Sequence, residues 1–281
     1  MSSLFPQNGI AVITGAASGI GRAAARRFAR DGMKIVMVDV NDEKLMAARD
    51  EIAGLAGAHN VSAEIVDVSS AEAMTSLAAK VQAAWGSPAL LMNNAAAFVS
   101  GGKGGILDPL ANWRMLFDIN VFGPINGVMA FLPGMLEAGT PARIINTGSK
   151  QGLTNPPGNP AYNTTKAALN AYTQNLAHDL RNRPGANVSA HLLVPGWTTT
   201  GDSEPKQGAW LPEQVIDFMV DALGRDEFFI ICPDGETSSD MDRKRILWNA
   251  LDIVHNRPAL SRWHPEHKEA FAQFMKSDLP V

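Results

Sequence analysis

The feature that most restricts the fold of this chain is a repeated alternation of short apolar runs with longer amphipathic runs. The apolar run GIAVITG (9–15) ends in glycine, a helical pattern follows over 21–32, and a second apolar run, KIVMVDV, covers 34–40. Short apolar runs of this kind are typical of buried strands. Strands that alternate with helices predict a parallel sheet covered on both faces.

The alternation continues to residue 235 without a linker, a repeat or a low-complexity tract. Further strands are predicted within SAEIVDVS (62–69), PALLMNNAA (88–96), RIINTGS (143–149), ANVSAHLLVPG (186–196) and EFFIICPDG (227–235). The sequence therefore predicts an α/β fold, a Rossmann-type doubly wound parallel sheet, as a single domain over 1–235. Apolar residues at helical spacing over 236–281 predict a helical C-terminal extension, packed on this domain or on a neighbouring subunit.

Composition excludes several classes of protein. The chain has 281 residues, 46% of them apolar and 19% charged, with a formal net charge of −4. Mild acidity without a basic run argues against nucleic acid as a partner. A single cysteine, Cys232, excludes an internal disulfide framework and fits a cytoplasmic protein. We expect no secretory signal, no apolar stretch long enough to span a membrane and no membrane partner.

The turn after the first strand carries three glycines in TGAASGIG (14–21). Gly15, Gly19 and Gly21 follow a strand and open a helix, so backbone N–H groups and the helix N-terminus can approach a pyrophosphate. Ser18 and Ile20 belong to the same turn, and we assign the whole turn to cofactor binding.

The second strand ends in Asp39, 18 residues beyond Gly21. An acidic residue there accepts hydrogen bonds from the ribose hydroxyls of NAD and repels the 2′-phosphate of NADP. No basic residue occupies 40 or 41, and we expect Arg22, the nearest basic candidate, to point elsewhere. The alternative is a solvated aspartate at a strand end.

Tyr162 and Lys166 lie four residues apart at the start of a predicted helix, after Pro160. Alone, such a pair is most often ordinary surface. A free phenol has a pKa near 10, so it exchanges protons at neutral pH only if a nearby cation stabilises its anion. The pair is therefore a candidate acid/base whose role depends on the rest of the chain.

Taken together, these motifs resemble the short-chain dehydrogenase/reductase family in its single-domain branch. The resemblance rests on TGAASGIG, DV at 67–68, NNAA at 93–96, Asn120, Ser149 and YNTTK at 162–166, and it covers roughly residues 8–200. It implies an NAD(H)-dependent oxidoreductase that interconverts a secondary alcohol and a ketone by hydride transfer. Family members usually form homodimers or homotetramers.

The resemblance also implies roles for particular residues. Asn120, Ser149, Tyr162 and Lys166 match the catalytic tetrad, in which Tyr162 is the acid/base, Ser149 holds the substrate oxygen and Asn120 keeps a water beside Lys166. Lys166 binds the nicotinamide ribose and lowers the pKa of Tyr162.

On the cofactor side, Asp67 and Val68 would face the adenine, Asn94 the adjoining ribose, and Asn93 would brace the central strands. The nicotinamide would be lined by Pro195, Gly196, Trp197 and Thr198.

Two departures from the family pattern concern the pocket. Ala96 replaces the last glycine of NNAG, and KQG follows Ser149, so Lys150 and Gln151 either contact the substrate or turn to solvent.

Two tryptophans in 197–215 favour an apolar or aromatic substrate, and GGKGG (101–105) predicts a flexible loop beside the site. His264 and His267 lack further ligands, so no metal site is predicted.

Two other functions stay open. The first is an NADP-dependent carbonyl reductase, against which Asp39 argues. The second is a non-catalytic dinucleotide sensor on the same fold, against which the intact tetrad argues.

Overall fold

The computed structural model describes residues 4–99, 105–200 and 204–279, and it contains one seven-stranded parallel sheet. The strands are β1 (Ile10–Thr14), β2 (Lys34–Asp39), β3 (Val61–Ile65), β4 (Leu90–Asn93), β5 (Ala142–Thr147), β6 (Val188–Val194) and β7 (Phe229–Ile231). Their order in the sheet is β3-β2-β1-β4-β5-β6-β7, and every neighbouring pair is parallel. The predicted doubly wound α/β fold is confirmed.

Helices cover both faces of the sheet. They are α1 (Gly19–Arg30), α2 (Asp42–Ala56), α3 (Ala71–Ala84), α4 (Leu110–Phe117), α5 (Gly123–Ala138), α6 (Gln151–Thr154), α7 (Pro160–Asn182), α8 (Pro212–Gly224), α9 (Ser239–Val254) and α10 (Lys268–Phe274). One face packs on α1, α2 and α8, and the other on α3, α5 and α7. Because successive side chains of a strand point to opposite faces, Ile13 faces the first core and Val12 the second.

The strand order reverses between β1 and β4. The chain leaves β1 towards β2 and β3 on one side, and from β4 onward it builds the other side of the sheet. Connections on either side of such a switch point run in opposite directions and leave a crevice beyond the carboxyl ends of the strands. This crevice is where the glycine turn and the other motifs meet.

One prediction about membranes is wrong as stated. Helices α4 and α5, joined by a π-helical turn at Asp118–Phe122, form a continuous 29-residue helix, Leu110–Ala138, that is long and apolar enough to cross a membrane. One side of this helix packs in the core, because Val128, Phe131 and Met135 are buried beneath α3 and the sheet, whereas Phe122 and Met129 are exposed. The helix is therefore accounted for as a core helix of the α/β fold.

The C-terminal extension has its own packed centre at Trp248. The rings of Phe271 and Phe274 lie 5.2 Å from the indole, the Arg257 guanidinium lies 3.9 Å above it, and the indole Nε1 donates to Ser261 Oγ at 2.8 Å. The extension meets the sheet domain at α6, where Asn249 donates to the Leu153 carbonyl at 3.3 Å.

The apolar stripe predicted for the first extension helix is only partly correct. Ser238 is the N-cap, as expected, and its side chain accepts from the Met241 amide. Of the predicted stripe, however, Ala250 and Val254 are exposed. The buried positions of α9 are instead Asp242, Lys244, Trp248 and Asp252. Charged side chains replace apolar ones there because each has a partner of opposite charge.

Candidate active site

A cavity of about 900 Å³ lies beyond the carboxyl ends of β1, β4, β5 and β6. Most of the predicted site residues line it: Gly15, Ser18, Gly19, Ile20, Asp39, Asn94, Ser149, Tyr162, Lys166, Pro195, Gly196, Trp197 and Thr198. Four do not, namely Gly21, Asp67, Val68 and Asn120. A cavity of this size is typical of a site for a small molecule or a cofactor.

The glycine turn is shaped for close approach to a ligand. Gly15 has a φ of +66°, which favours glycine, and a Cβ on Gly21 would lie 2.2 Å from the Gly15 carbonyl oxygen. Ser18, the N-cap of α1, makes no side-chain capping bond, and the first turn of α1 carries no acidic residue. Backbone amides at the start of α1 are therefore available to an anion such as a pyrophosphate.

Asp39 stands at the end of β2 and faces the cavity. Its Oδ2 accepts from the Ala17 amide at 3.1 Å and its Oδ1 from the Asn41 amide at 3.0 Å, which fixes the carboxylate between the glycine turn and α2. Arg22 points away and pairs with Glu51 at 3.3 Å, as the sequence predicts. Because Arg22 is paired, the Asp39 carboxylate is the charged group at this end of the cavity among the described lining residues.

Ser149, Tyr162 and Lys166 meet in the middle of the cavity. The Ser149 hydroxyl lies beside the Tyr162 phenol and works to lower its pKa, and the Lys166 Nζ lies 5.7 Å from the centre of the phenol ring. Lys166 is 2% exposed, and its Nζ donates to the Thr147 carbonyl at 2.9 Å. A hydroxyl, a phenol and an ammonium thus converge around one point, as an acid/base site requires.

The surroundings that the protein itself provides raise the pKa of Tyr162, and the lowering expected from Lys166 together with the oxidised nicotinamide stays a prediction. Burial raises the pKa of Tyr162, and the hydrogen bond from Ser149 offsets only part of that rise. Burial also lowers the pKa of Lys166 to about 8. The protein groups by themselves therefore hold the phenol protonated, so a lowered pKa would require positive charge from a bound molecule.

Local hydrogen bonds explain the poor helix formers between Tyr162 and Lys166. Asn163 is buried and donates to Pro156 O at 2.7 Å, and Thr165 Oγ1 donates back to Tyr162 O, also at 2.7 Å. In addition, a Cβ at Gly152 of α6 would lie 2.5 Å from the backbone carbon of Lys166. Only glycine lets α6, which follows Ser149, pack this closely on α7.

Asn120 is fully buried in the π-helical turn and lies behind the cavity. Its Oδ1 accepts from the Ala97 amide at 2.8 Å, and its Nδ2 donates to Ala97 O at 3.0 Å and to Thr165 Oγ1 at 3.2 Å. The side chain therefore joins the loop after β4 to the start of α7. The expected water beside Lys166 stays a prediction.

The end of β4 is joined to the glycine turn by Thr14. Its Oγ1 accepts from the amides of Asn94 and Ala95 at 2.9 and 3.0 Å, and Asn94 Nδ2 donates to Thr14 O at 3.1 Å. Asn93 donates to Asn146 Oδ1 at 2.9 Å and so braces β4 against β5, as expected.

The loop after β6 contributes one tryptophan to the cavity rather than two. Trp197 lines it and is 43% exposed, whereas Trp210 packs on Phe218 with ring centres 6.0 Å apart, against the core. The Trp197 amide donates to Asp234 Oδ2 at 3.0 Å. Asp234 thereby fixes the loop on the side predicted for the nicotinamide.

Lys150 does not turn to solvent, and its contact with the substrate stays a prediction. It lines the cavity, but its Nζ is paired with Asp234 at 3.0 Å and with Asp242 at 2.7 Å, and the side chain is 17% exposed. Sequence reasoning missed both carboxylates because they lie more than 80 positions away along the chain.

Other predicted residues lie apart from the cavity. Asp67 is exposed and its Oδ1 accepts from Ser69, while Val68 is buried against Gly123.

Residues 101–104 of the predicted flexible loop lie outside the described residues. His264 and His267 have ring centres 5.7 Å apart, and the described residues contain no group of three or more metal-ligating side chains.

Phe98 was not singled out by the sequence. Its ring meets the Tyr162 ring edge-on at 5.1 Å and is 57% exposed, so it forms an apolar wall next to the phenol. Only its position, a few residues after NNAA, could have indicated this role.

This architecture is that of a dinucleotide-binding α/β protein. The model of the short chain dehydrogenase family matches residues 9–208, and the chain belongs to that family.

Two curated relatives are dehydrogenases or reductases. Sulfoacetaldehyde reductase 2 of Chromohalobacter salexigens is 34% identical over 191 residues, covering 68% of this chain and 73% of the relative. A 1-deoxy-11-beta-hydroxypentalenate dehydrogenase of Streptomyces exfoliatus is 30% identical over 268 residues, covering 92% of this chain and 94% of the relative.

Two solved structures are similar over most of the chain. A short chain dehydrogenase/reductase from Burkholderia phymatum in complex with NAD has a TM-score of 0.79 and 30% identity, covering 92% of this chain and 97% of that one. A metagenomic short-chain oxidoreductase in complex with NADP has a TM-score of 0.68 and 29% identity, covering 80% of this chain and 97% of that one. The protein is accordingly a nucleotide-binding oxidoreductase that acts on substrates of the alcohol or ketone type.

Proposed function

We propose that the protein is an NAD(H)-dependent dehydrogenase/reductase that interconverts a secondary alcohol and a ketone, with Tyr162 as the acid/base. The observation that carries this proposal is the convergence of Ser149, Tyr162 and Lys166 in a cavity that also contains the glycine turn. A sensor would need the dinucleotide site but not a phenol placed between a serine hydroxyl and an ammonium.

The cavity residues fit a nicotinamide dinucleotide. The pyrophosphate would lie on the amides that open α1, the adenosine ribose at Asp39 and Asn94, and the nicotinamide at Pro195, Gly196, Trp197 and Thr198. Adenine would extend beyond the cavity towards Asp67 and Val68. When bound, the nicotinamide accepts or returns a hydride.

The protein's own residues would handle the proton. In reduction, Tyr162 starts protonated and donates its proton to the substrate oxygen, which Ser149 also holds by a hydrogen bond. In oxidation, Tyr162 must first lose its proton, and the positive charge of Lys166, together with that of the oxidised cofactor, would stabilise the phenolate. Asn120 would orient a water for proton exchange with Lys166.

Asp39 supports NAD over NADP. A fixed carboxylate at this end of the cavity attracts ribose hydroxyls and repels a 2′-phosphate, and the nearest arginine is bound to Glu51. The similar structures include complexes with either dinucleotide, so the preference rests on this carboxylate.

The walls near Tyr162 support an apolar or aromatic substrate. Phe98 and Trp197 both offer exposed ring surface at the cavity, and the Lys150 ammonium is already paired with two carboxylates. We also expect a homodimer or homotetramer in the cytoplasm.

The test is a panel of alcohols and ketones, each assayed with NAD(H) and NADP(H) by the absorbance of the reduced nicotinamide. The proposal expects turnover of at least one secondary alcohol or ketone with a ring or alkyl chain, and higher kcat/KM with NAD(H). Preference for NADP(H) would refute the interpretation of Asp39. Tight NAD binding without turnover of any member would favour a sensor.

A further inference from the structure

Three charged side chains from separate segments meet beside the cavity, and we call them the Lys150 ion cluster. Lys150 follows Ser149, Asp234 follows β7, and Asp242 lies in the first turn of α9 in the C-terminal extension. The Lys150 Nζ lies 3.0 Å from Asp234 Oδ2 and 2.7 Å from Asp242 Oδ2. Both aspartate side chains are 6% exposed, so water screens these contacts weakly.

The cluster reaches the loop after β6 directly. The oxygen of Asp234 that contacts Lys150 also accepts from the Trp197 amide at 3.0 Å. A Cβ on Gly196 would lie 2.4 Å from that oxygen and 2.8 Å from the Lys150 Nζ. The loop that would line the nicotinamide therefore lies against the ion pair with no room between them.

The second oxygen of Asp234 is held as well. It accepts from the amides of Glu236 at 3.0 Å and Thr237 at 2.7 Å, just before α9 begins. Burial works to raise the pKa of Asp234, but the Trp197 amide and the Lys150 ammonium outweigh it, and the pKa lies below its usual value. Asp234 is thus a fixed carboxylate between the loop and the extension.

Asp242 is the group that the extension adds to this arrangement. Burial raises its pKa, and the ammonium of Lys150 offsets only part of that rise. A buried ion pair of this kind contributes little net stability, because removing both charges from water costs about as much as their attraction returns. The contribution of the pair is geometric, because it holds three segments in one arrangement.

We propose that Asp242 is a positioning residue of the active site. Through Lys150 it ties the C-terminal extension to the turn that carries Ser149 and, through Asp234, to the loop of Gly196 and Trp197. The extension thereby fixes the nicotinamide half of the cavity. This inference rests on the proposed placement of the cofactor, while the adenosine half depends on the glycine turn and Asp39, which the cluster does not touch.

The two halves can be separated with two ligands. NADH carries the nicotinamide, whereas ADP-ribose lacks it and would use only the adenosine and pyrophosphate half. In full-length Asp242→Asn, titration calorimetry should show NADH binding weakened by about fivefold or more, the usual range of coupling between sites. ADP-ribose binding should change by less than about twofold, as for an independent site. The emission of bound NADH, which reports the surroundings of the nicotinamide, should shift towards that of free NADH.

Asp240→Asn is the matched control. Asp240 lies on the same helix and pairs with Lys244 at 2.8 Å, but it is 58% exposed and does not contact the cluster. This variant should bind both ligands as the wild type does. If Asp242→Asn does not fold, Asp242→Glu, which keeps the charge but displaces the carboxylate, tests the same contact with the same two ligands.

Equal weakening of NADH and ADP-ribose in the Asp242 variant would indicate a general structural effect and overturn the proposal. Unchanged binding of both would overturn it as well. A wild-type protein that binds ADP-ribose as tightly as NADH would instead contradict the proposed placement of the cofactor, and with it the role of the cluster.

Discussion

At the scale of single residues, the phenol of Tyr162 is the group on which the chemistry depends. It is half-buried, lies beside the Ser149 hydroxyl and is bordered by Phe98. Its raised pKa makes the protonated form the resting one, which suits a proton donor in ketone reduction. For alcohol oxidation the same group must be deprotonated, so we expect oxidation to speed up with rising pH and reduction to slow down.

Replacing Tyr162 by Phe keeps the aromatic ring and removes the hydroxyl group that carries the transferred proton. We expect Tyr162→Phe to fold and to bind NADH but to lose about 10²- to 10⁴-fold in kcat, the range for a positioned acid/base. The measurement is turnover of the best substrate of the panel, with NADH fluorescence as the check on binding. Tyr172→Phe, on the same helix but outside the cavity lining, is the control. Turnover near that of the wild type would exclude Tyr162 as the acid/base.

The buried Lys166 predicts a pH dependence of stability. Burial lowers its pKa to about 8, whereas in the unfolded chain it keeps its proton up to about pH 10.4. Between these values the unfolded chain binds more protons than the folded protein, so this group makes the fold more stable as pH rises from about 8 to about 10. Below pH 8 the burial cost of the charge is fully present.

Lys166→Met should therefore flatten the change of melting temperature with pH in that interval, while abolishing turnover. The control is Lys80→Met, whose exposed ammonium pairs with Glu64. Calorimetric melting between pH 7 and 10 gives the comparison. If the melting temperatures of the Lys166 variant and the wild type differ by the same amount at every pH, the charge of Lys166 does not titrate in this interval.

At the scale of elements, the long helix Leu110–Ala138 is interrupted by its π-helical turn where it passes the cavity. One extra residue in that turn changes which side chains face the loop after β4, and π-helical turns often occur at functional sites. Asn120 uses this geometry to hold both backbone groups of Ala97. The helix thereby serves as core packing at one end and as part of the site at the other.

Asn120→Ala should leave the Ala97 amide and carbonyl without their partner. We expect a loss of about 1–3 kcal/mol in the free energy of unfolding, the cost of unsatisfied buried polar groups, together with lower kcat as the loop before Phe98 loosens. Denaturant unfolding and turnover measure the two effects. Asn175→Ala, an exposed residue bonded to the Ala171 carbonyl, should change neither. A variant of Asn120 with unchanged stability would show that these hydrogen bonds contribute nothing net.

At the scale of the whole molecule, the extension after 235 belongs to the structure around the site. Its centre at Trp248 is packed by its own residues, and its contacts with the sheet domain, at α6 and Lys150, lie next to the turn that carries Ser149. We propose 1–235 as the catalytic domain and 236–281 as an extension that supports the turn after Ser149 from outside the cavity.

Truncation after Gly235 should lower the melting temperature by roughly 5–10 °C, as expected for a loss of a few kcal/mol in a domain of this size, and should raise KM. Loss of the Lys150–Asp242 pair and of the contact with α6 is the reason. Truncation after Ser277, which leaves every helix intact, is the control. The oligomeric state should be measured in the same samples by light scattering. Unchanged melting temperature, KM and oligomeric state would show that the extension supports neither the site nor assembly.

The sequence by itself determined what depends on neighbours along the chain. Alternating apolar runs indicated the parallel sheet, the glycine turn follows from the need for backbone approach at Gly15 and Gly21, and the four-residue spacing of Tyr162 and Lys166 places both on one side of α7. These patterns are local, so the residues that cause them are visible together.

Only the tertiary structure decided the partners of Lys150, the burial of Asp242 and Lys244 in place of the expected apolar stripe, and the packing of Trp210 against the core instead of the cavity. The physical reason is the same in each case. Burial of a side chain is set by the groups that folding brings near it: Lys150 meets Asp242, Lys244 donates to the Met275 carbonyl, and Trp210 packs against the core. A charge is buried only where it is paired or hydrogen-bonded.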